Sequence, residues 1–422
     1  MTSERERECY VYITLPGKTD AVTAGRLTLA TDRRGTAIGR FVYGRRYLEH
    51  PDRVEIDPVE LRLAQEIYET ALLGGVFGAL RDSGPDLWGR RVIERHAGKT
   101  GLSELDYLLY APDDRAGALG FGLGQTPPAP KRQFNQTLDL EKLQAVAHAI
   151  VKDEELPADV VTDQVEELML VGTSMGGARP KIVVEDEQGL WVAKFNRPDA
   201  DQWNHARVEH AMLRLAQSCG ISAAESRVTA VGGRDVLLVR RFDREKTGAG
   251  YLRARMVSGL TLLRAEEMRS DRWSYVVLAE ELRRVSAEPQ KDAVELFKRM
   301  CFNALISNLD DHPRNHAVLA WDRDWRLSPA YDLTPSAPVS VDRRDLALIC
   351  GDAGRYANAE NLLSQSARFL LSHDEAETIV NEMETCISKT WYNVARAVGV
   401  SDRDCDKITR AFVYPGFRYR SE

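Results

Sequence analysis

At about residue 272 the chain changes its periodicity, and that change limits its fold more than any other feature. Before it, short runs of β-branched and aromatic residues recur: YVYITL at 10–15, GRLTLAT at 25–31, IGRFVYG at 38–44, KIVVEDEQGLWVAKF at 181–195 and VTAVGGRDVLLVRRF at 228–242. Gly-containing or charged turns separate them, as strands joined by tight turns require. After it, apolar residues recur at helical spacing, notably over 291–307 and 374–398. The chain is therefore expected to be α+β, with a β-rich first part and a mainly helical second part.

Within the first part, a helix is expected from Pro58 to Leu80, launched by Asp57, and another around 139–152. HARVEHAMLRLAQSCG, at 205–220, reads as an amphipathic helix closed by Gly220. Three prolines within four residues of GQTPPAPKRQ mark a linker or surface strap. The expected domains are 1–125, 126–243 and 244–422.

At 422 residues, the chain is too long for one ordinary core. Its net charge is −7 with Lys and Arg spread along the sequence, which argues against a bulk nucleic-acid binder. The opening MTSERERECYVYITL is charged where a secretion signal needs an apolar run, and no stretch is long enough to span a bilayer. The six cysteines show no paired spacing and read as reduced thiols in a cytoplasmic protein.

The chemistry concentrates in NLDDHPRN at 308–315, which follows the amphipathic run KDAVELFKRMCFNALISN. Such a stretch suits a metal site, a proton-transfer site or a polar helix ending. Asp310 and Asn315 have the D-x-x-x-x-N spacing of a kinase catalytic loop, where the aspartate aligns the attacking hydroxyl and the asparagine holds Mg²⁺. Asp332, in LSPAYDLTPS, stands where a second metal-binding carboxylate belongs; its ordinary reading is a turn residue before Pro335. Lys194 lies inside the apolar strand LWVAKF, where an ammonium needs an anion such as a nucleotide phosphate, or else snorkels to solvent. Glu209, on the helix that follows, suits an ion pair with Lys194 or with a neighbouring arginine. In GTSMGGARPK, Gly172, Gly176 and Gly177 allow backbone N–H groups to approach phosphate, with Lys181 or Arg179 adding charge. Each motif has an ordinary reading alone. Their joint order, straddling the change from strands to helices, points to an ATP-dependent phosphotransferase.

Together GTSMGGARPK, WVAKF, VRRFDRE, NLDDHPRN and LSPAYDLTPS resemble the HipA-type serine/threonine kinases, the toxins of bacterial toxin–antitoxin pairs. FGALRDSGPDLWGRRVIERH and DDRAGALGFG are similar to that family's N-terminal subdomain. The resemblance implies a two-lobed kinase fold with Asp310 catalytic, Asn315 and Asp332 on magnesium, and Lys194 on the phosphates of ATP. It places Arg240, Arg241 and Phe242 at the adenine-facing hinge, and Ser174 at a serine that the family autophosphorylates to switch itself off. Lys181, Gly176, Gly177 and His312 complete the expected ATP site, His312 also supporting the loop by hydrogen bonding.

The resemblance further implies a helix-turn-helix antitoxin of HipB type, DNA contact mainly through that partner, and an aminoacyl-tRNA synthetase type of target. The chain departs from the family pattern at Arg179-Pro180, at Asp311 where glycine is common, and at Arg240 where the hinge is often acidic. Three rival readings stand beside it. One is a small-molecule phosphotransferase, and another a phosphohydrolase with Asp310, Asp311 and His312 as metal ligands. The third is a non-catalytic module that docks a DNA-binding partner.

Overall fold

The computed structural model describes residues 6–111, 113–130, 140–152, 179–197, 200–337 and 339–419. The chain divides into two compact units. Met1–Phe195, Arg240–Val257 and Leu319–Trp325 form the first; Asn196–Val239, Ser258–Val318 and Arg326–Glu422 form the second. Residues 1–125 and 126–195 thus share a unit, while 196–239 belongs with most of the helical segment.

The first unit is built on an antiparallel sheet of β1 (Arg7–Thr14), β2 (Ala21–Thr31), β3 (Ala37–Tyr43), β4 (Ile67–Thr70) and β5 (Leu119–Gly122), ordered β4-β3-β2-β1-β5. The first three arise from the β-branched and aromatic runs seen in the sequence. Val11, Ile13, Leu27 and Phe41 are fully buried, and Tyr12 and Thr14 are buried as well, so β1 is covered continuously along its second half.

The helix expected over 58–80 does not form. Asp57 Oδ1 does open a turn, accepting the N–H groups of Val59 at 2.7 Å and Glu60 at 2.6 Å. The chain then runs out to β4, which pairs with β3 with Val42 opposite Ile67. Gly74 and Gly75 follow with φ of 70° and 81°, a left-handed backbone that a helix excludes. Gly75 also packs its backbone against Gly39, where a Cβ would meet the Gly75 carbonyl oxygen at 1.7 Å. Strand pairing and this backbone contact outweigh the helical pattern in the sequence.

Two helices, α1 (Leu87–Ala97) and α2 (Glu104–Tyr110), start at good N-caps: Asp86 accepts from Gly89 N, and Ser103 forms a capping box with Asp106. A further helix, α3, spans Leu140–Lys152. Strands β6 (Lys181–Asp186) and β7 (Gly189–Phe195) form a hairpin that sets Lys181 opposite Lys194.

In the second unit, α4 (His205–Ser218) is capped by Asn204 and followed by Gly220 at φ 74°. Strands β8 (Ser226–Val231) and β9 (Arg234–Arg240) are joined by Gly232 and Gly233, both at positive φ, as a tight hairpin turn demands. The helices α5 (Tyr275–Val285), α6 (Pro289–Ile306) and α7 (His373–Ala397) follow, with α6 packed on both α5 and α7.

Helix α6 is buried more widely than its sequence suggests. Asp292, Arg299 and Asn303, on the face expected to be polar, are also buried. Arg299 explains how: its guanidinium pairs with Glu295 at 3.0 Å and donates to the Ser328 carbonyl at 2.6 Å. A central helix thus carries polar groups that fasten neighbouring loops.

Candidate active site

The loop carrying Asp310 begins where α6 ends. Ser307 takes up a left-handed backbone, φ 55° and ψ 44°, and its hydroxyl donates to the Ala411 carbonyl while accepting from Arg344. Asn308 N then returns to Asn303 O at 2.8 Å. The chain leaves the helix by a sharp, hydrogen-bonded turn.

Beyond it the loop closes on itself. His312 N donates to Asp310 O, and Asn315 N donates to His312 O, each at 2.8 Å. The Asn315 side-chain amide donates to Asp310 O at 3.4 Å, which leaves Oδ1 as its acceptor. His312 supports the loop through these backbone hydrogen bonds. Its ring lies edge-on to Trp273 at 6.5 Å, and Nδ1 has no hydrogen-bond partner among the described residues.

The segment bearing Asp332 lies along this loop. Tyr331 donates its hydroxyl to Arg314 O at 2.6 Å, and Ser336 N donates to Ser307 O at 2.9 Å. Asp332 sits at φ 60°, a left-handed conformation uncommon outside glycine and a form of strain that collects at functional sites.

Neighbouring aspartates have opposite environments. Asp310 is exposed, yet partial burial of its carboxylate raises its pKa, opposed by His312 and reinforced by the charges of Asp332 and Asp311. Asp311 is buried, and burial alone would raise it too. His316, at 2.8 Å from Asp311 Oδ2, and the hydroxyl of Tyr275 hold it below the usual value instead. Tyr275 also accepts from Asn303 Nδ2 at 3.2 Å, and Asn303 Oδ1 accepts from Asn308 Nδ2 at 3.1 Å. A polar chain thus runs from α6 through α5 to the loop. Tyr275, Asn303 and His316 carry no local motif. Only a buried acid at Asp311, in need of donors, would have pointed to them.

Asn315 and Asp332 suit Mg²⁺, which takes one or two carboxylate or amide oxygens and completes its shell with water and phosphate. Among the described residues no three His, Cys, Asp or Glu side chains stand together as a ready metal centre. Asp311, which a phosphohydrolase would need as a ligand, has Oδ2 committed to Tyr275 and His316.

The remaining candidates are placed as follows. Lys181 Nζ is 2.7 Å from Asp86 Oδ2 in a buried ion pair, so an internal carboxylate meets its ammonium. Asp86 does two jobs there, since its Oδ1 caps α1. Lys194 is half-buried on β7, and Glu209 is buried on α4.

Arg240 is exposed and reaches Gln188 O at 3.4 Å, while Phe242 is half-buried. The guanidinium of Arg241 is buried and pairs with Asp114 and, at 2.7 Å, with Asp243 inside the first unit. Ser174, Gly172, Gly176 and Gly177 lie outside the described residues.

The α+β chain thus carries a loop with an exposed aspartate, an asparagine five residues on and a second aspartate on the adjoining segment. Residues 173–391 match the HipA-like C-terminal domain and residues 18–122 the HipA N-terminal domain, and the chain belongs to the HipA family. Two relatives from Sinorhizobium fredii (strain NBRC 101917 / NGR234) carry provisional kinase names. Y4mE is 30% identical over 134 residues, and Y4dM is 28% identical over 182. These matches cover 30% and 40% of this chain, and 31% and 42% of the relatives' own lengths. In fold, the chain is similar to HipA solved with HipB and operator DNA from Shewanella oneidensis MR-1. The TM-score is 0.70 at 16% identity, over 95% of this chain and 94% of that one.

Proposed function

We propose that this chain is an ATP- and Mg²⁺-dependent serine/threonine protein kinase and the toxin of a toxin–antitoxin pair. The observation that carries the reading is the loop 308–315: its backbone closes so that Asp310 stands exposed, with Asn315 and the Asp332 segment beside it. Asp310 accepts the hydrogen bond of a protein hydroxyl and aligns its oxygen for attack. Asn315 Oδ1 and the Asp332 carboxylate would hold Mg²⁺, which would supply positive charge to offset that of the phosphates. Lys194 supplies the phosphate-pairing ammonium, and Glu209 is its proposed partner. Lys181 supports β6 through Asp86.

The finer assignments follow the family. Ser174 is the proposed site of self-phosphorylation, where added negative charge repels nucleotide phosphate. A HipB-like helix-turn-helix antitoxin is the proposed partner, it carries most of the DNA contact, and an aminoacyl-tRNA synthetase is the proposed target type. The HipA N-terminal domain at 18–122 favours a protein substrate over an antibiotic-type acceptor. The test is peptide mapping of phosphatase-treated protein after incubation with MgATP. Phosphate on Ser174 supports the reading, and failure to bind ATP overturns it.

A further inference from the structure

Six cysteines with no paired spacing suggested isolated thiols, yet folding brings two of them together. Cys219 closes the C-terminal end of α4, and Cys386 lies within α7, 167 residues further along. The two helices pack along each other inside the second unit. The Sγ atoms are 3.0 Å apart, about 1 Å beyond a covalent S–S bond. Both residues are part-exposed, whereas Cys9, Cys301, Cys350 and Cys405 are buried.

We propose that Cys219 and Cys386 form a reversible dithiol–disulfide site that takes peroxide as its oxidant. One thiolate attacks the peroxide O–O bond, giving a sulfenic acid and one water. The second sulfur then attacks that sulfenic sulfur, forming S–S and releasing a second water. The two sulfurs lose two electrons in total and the peroxide gains them. A small-molecule dithiol restores the pair by thiol–disulfide exchange. The bond fixes the end of α4, the helix that carries Glu209 ten residues upstream, against α7.

The environment sets the pace of this chemistry. Burial, and then the neighbouring Cys386, push the Cys219 thiol well above its usual pKa. The thiolate is the nucleophile, so bond formation accelerates as the pH rises. Proteins from reducing compartments that do form disulfides generally use them transiently, which fits a part-exposed pair of this kind.

The experiment exposes the reduced full-length chain to hydrogen peroxide, blocks remaining thiols by alkylation, and maps peptides without reduction. The expected result is a linked Cys219–Cys386 peptide from the monomer, lost on treatment with a phosphine reductant, with Cys301 and Cys350 still alkylated. In Cys386→Ser the link is absent, and a sulfenic-acid trap labels Cys219. Full alkylation of both cysteines in wild-type protein, under peroxide that oxidises a free thiol in the same tube, overturns the proposal. So does a link found only between copies. The wild-type map stands even if a variant fails to fold, and neither readout depends on kinase activity.

Discussion

His316 Nε2 stands 2.8 Å from Asp311 Oδ2, directly behind the loop whose exposed side carries Asp310. The pair divides labour between adjacent acids: Asp311 holds the loop from within, and Asp310 faces outward. Asp311 Oδ1 has no hydrogen-bond partner among the described residues, so His316 and Tyr275 provide the compensation for this buried charge.

Removing that anchor should therefore cost stability as well as rate. Asp311→Ala is expected to lower unfolding free energy by at least about 2 kcal/mol, since the buried Tyr275 hydroxyl and His316 ring lose their shared acceptor at about 1–3 kcal/mol each. Tyr275→Phe, which strips one hydroxyl from the same chain, should cost about 1–3 kcal/mol. Denaturant titration of each variant measures both. A change in Asp311→Ala no larger than for a surface substitution would mean the acid does not anchor the loop.

Two lysines set opposite each other across β6 and β7 should behave differently when replaced. Lys181→Met leaves Asp86 buried without its ammonium, so stability should fall by about 3–5 kcal/mol while ATP affinity holds in protein that remains folded. Lys194→Met should weaken ATP binding with a smaller loss of stability. Thermal unfolding and ATP titration, run on both variants, separate the roles.

A buried charge cluster in the first unit predicts acid sensitivity. Burial pushes the Asp243 carboxyl up, but Arg241 and Arg244 outweigh it and hold the group far below the usual carboxylate range. A folded-state pKa below the unfolded value of about 3.9 gives stability that is present at neutral pH and lost as pH falls through and below that value. Asp114 in the same cluster goes the other way, because burial there outweighs Arg241. Asp243→Asn should lower stability at neutral pH and flatten its decline on acidification. Unfolding curves between pH 7 and about 3 test the slope.

Much of this was legible in the sequence because its signals are local. Strands β1 to β3, the Gly-Gly hairpin, α4 with Gly220 and the D-x-x-x-x-N spacing each lie within a short window. What escaped the sequence depends on distant partners. The 58–80 segment is decided by pairing with β3 and by Gly39 against Gly75. Lys181 is decided by Asp86, 95 residues earlier, and Asp311 by Tyr275, 36 residues earlier. The guanidinium of Arg241 is placed by Asp114, 127 residues earlier. Charged side chains are the hardest to place from sequence, since burial is tolerable only with a partner that the sequence does not name.

The most direct test compares phosphate transfer from MgATP by wild-type protein and Asp310→Asn, with ATP affinity measured on the same samples. The account predicts similar ATP binding by both and a transfer rate at least about 10²-fold lower in the variant, as loss of a positioned acid–base group implies. Equal transfer rates, or no ATP binding by the wild-type protein, would contradict it.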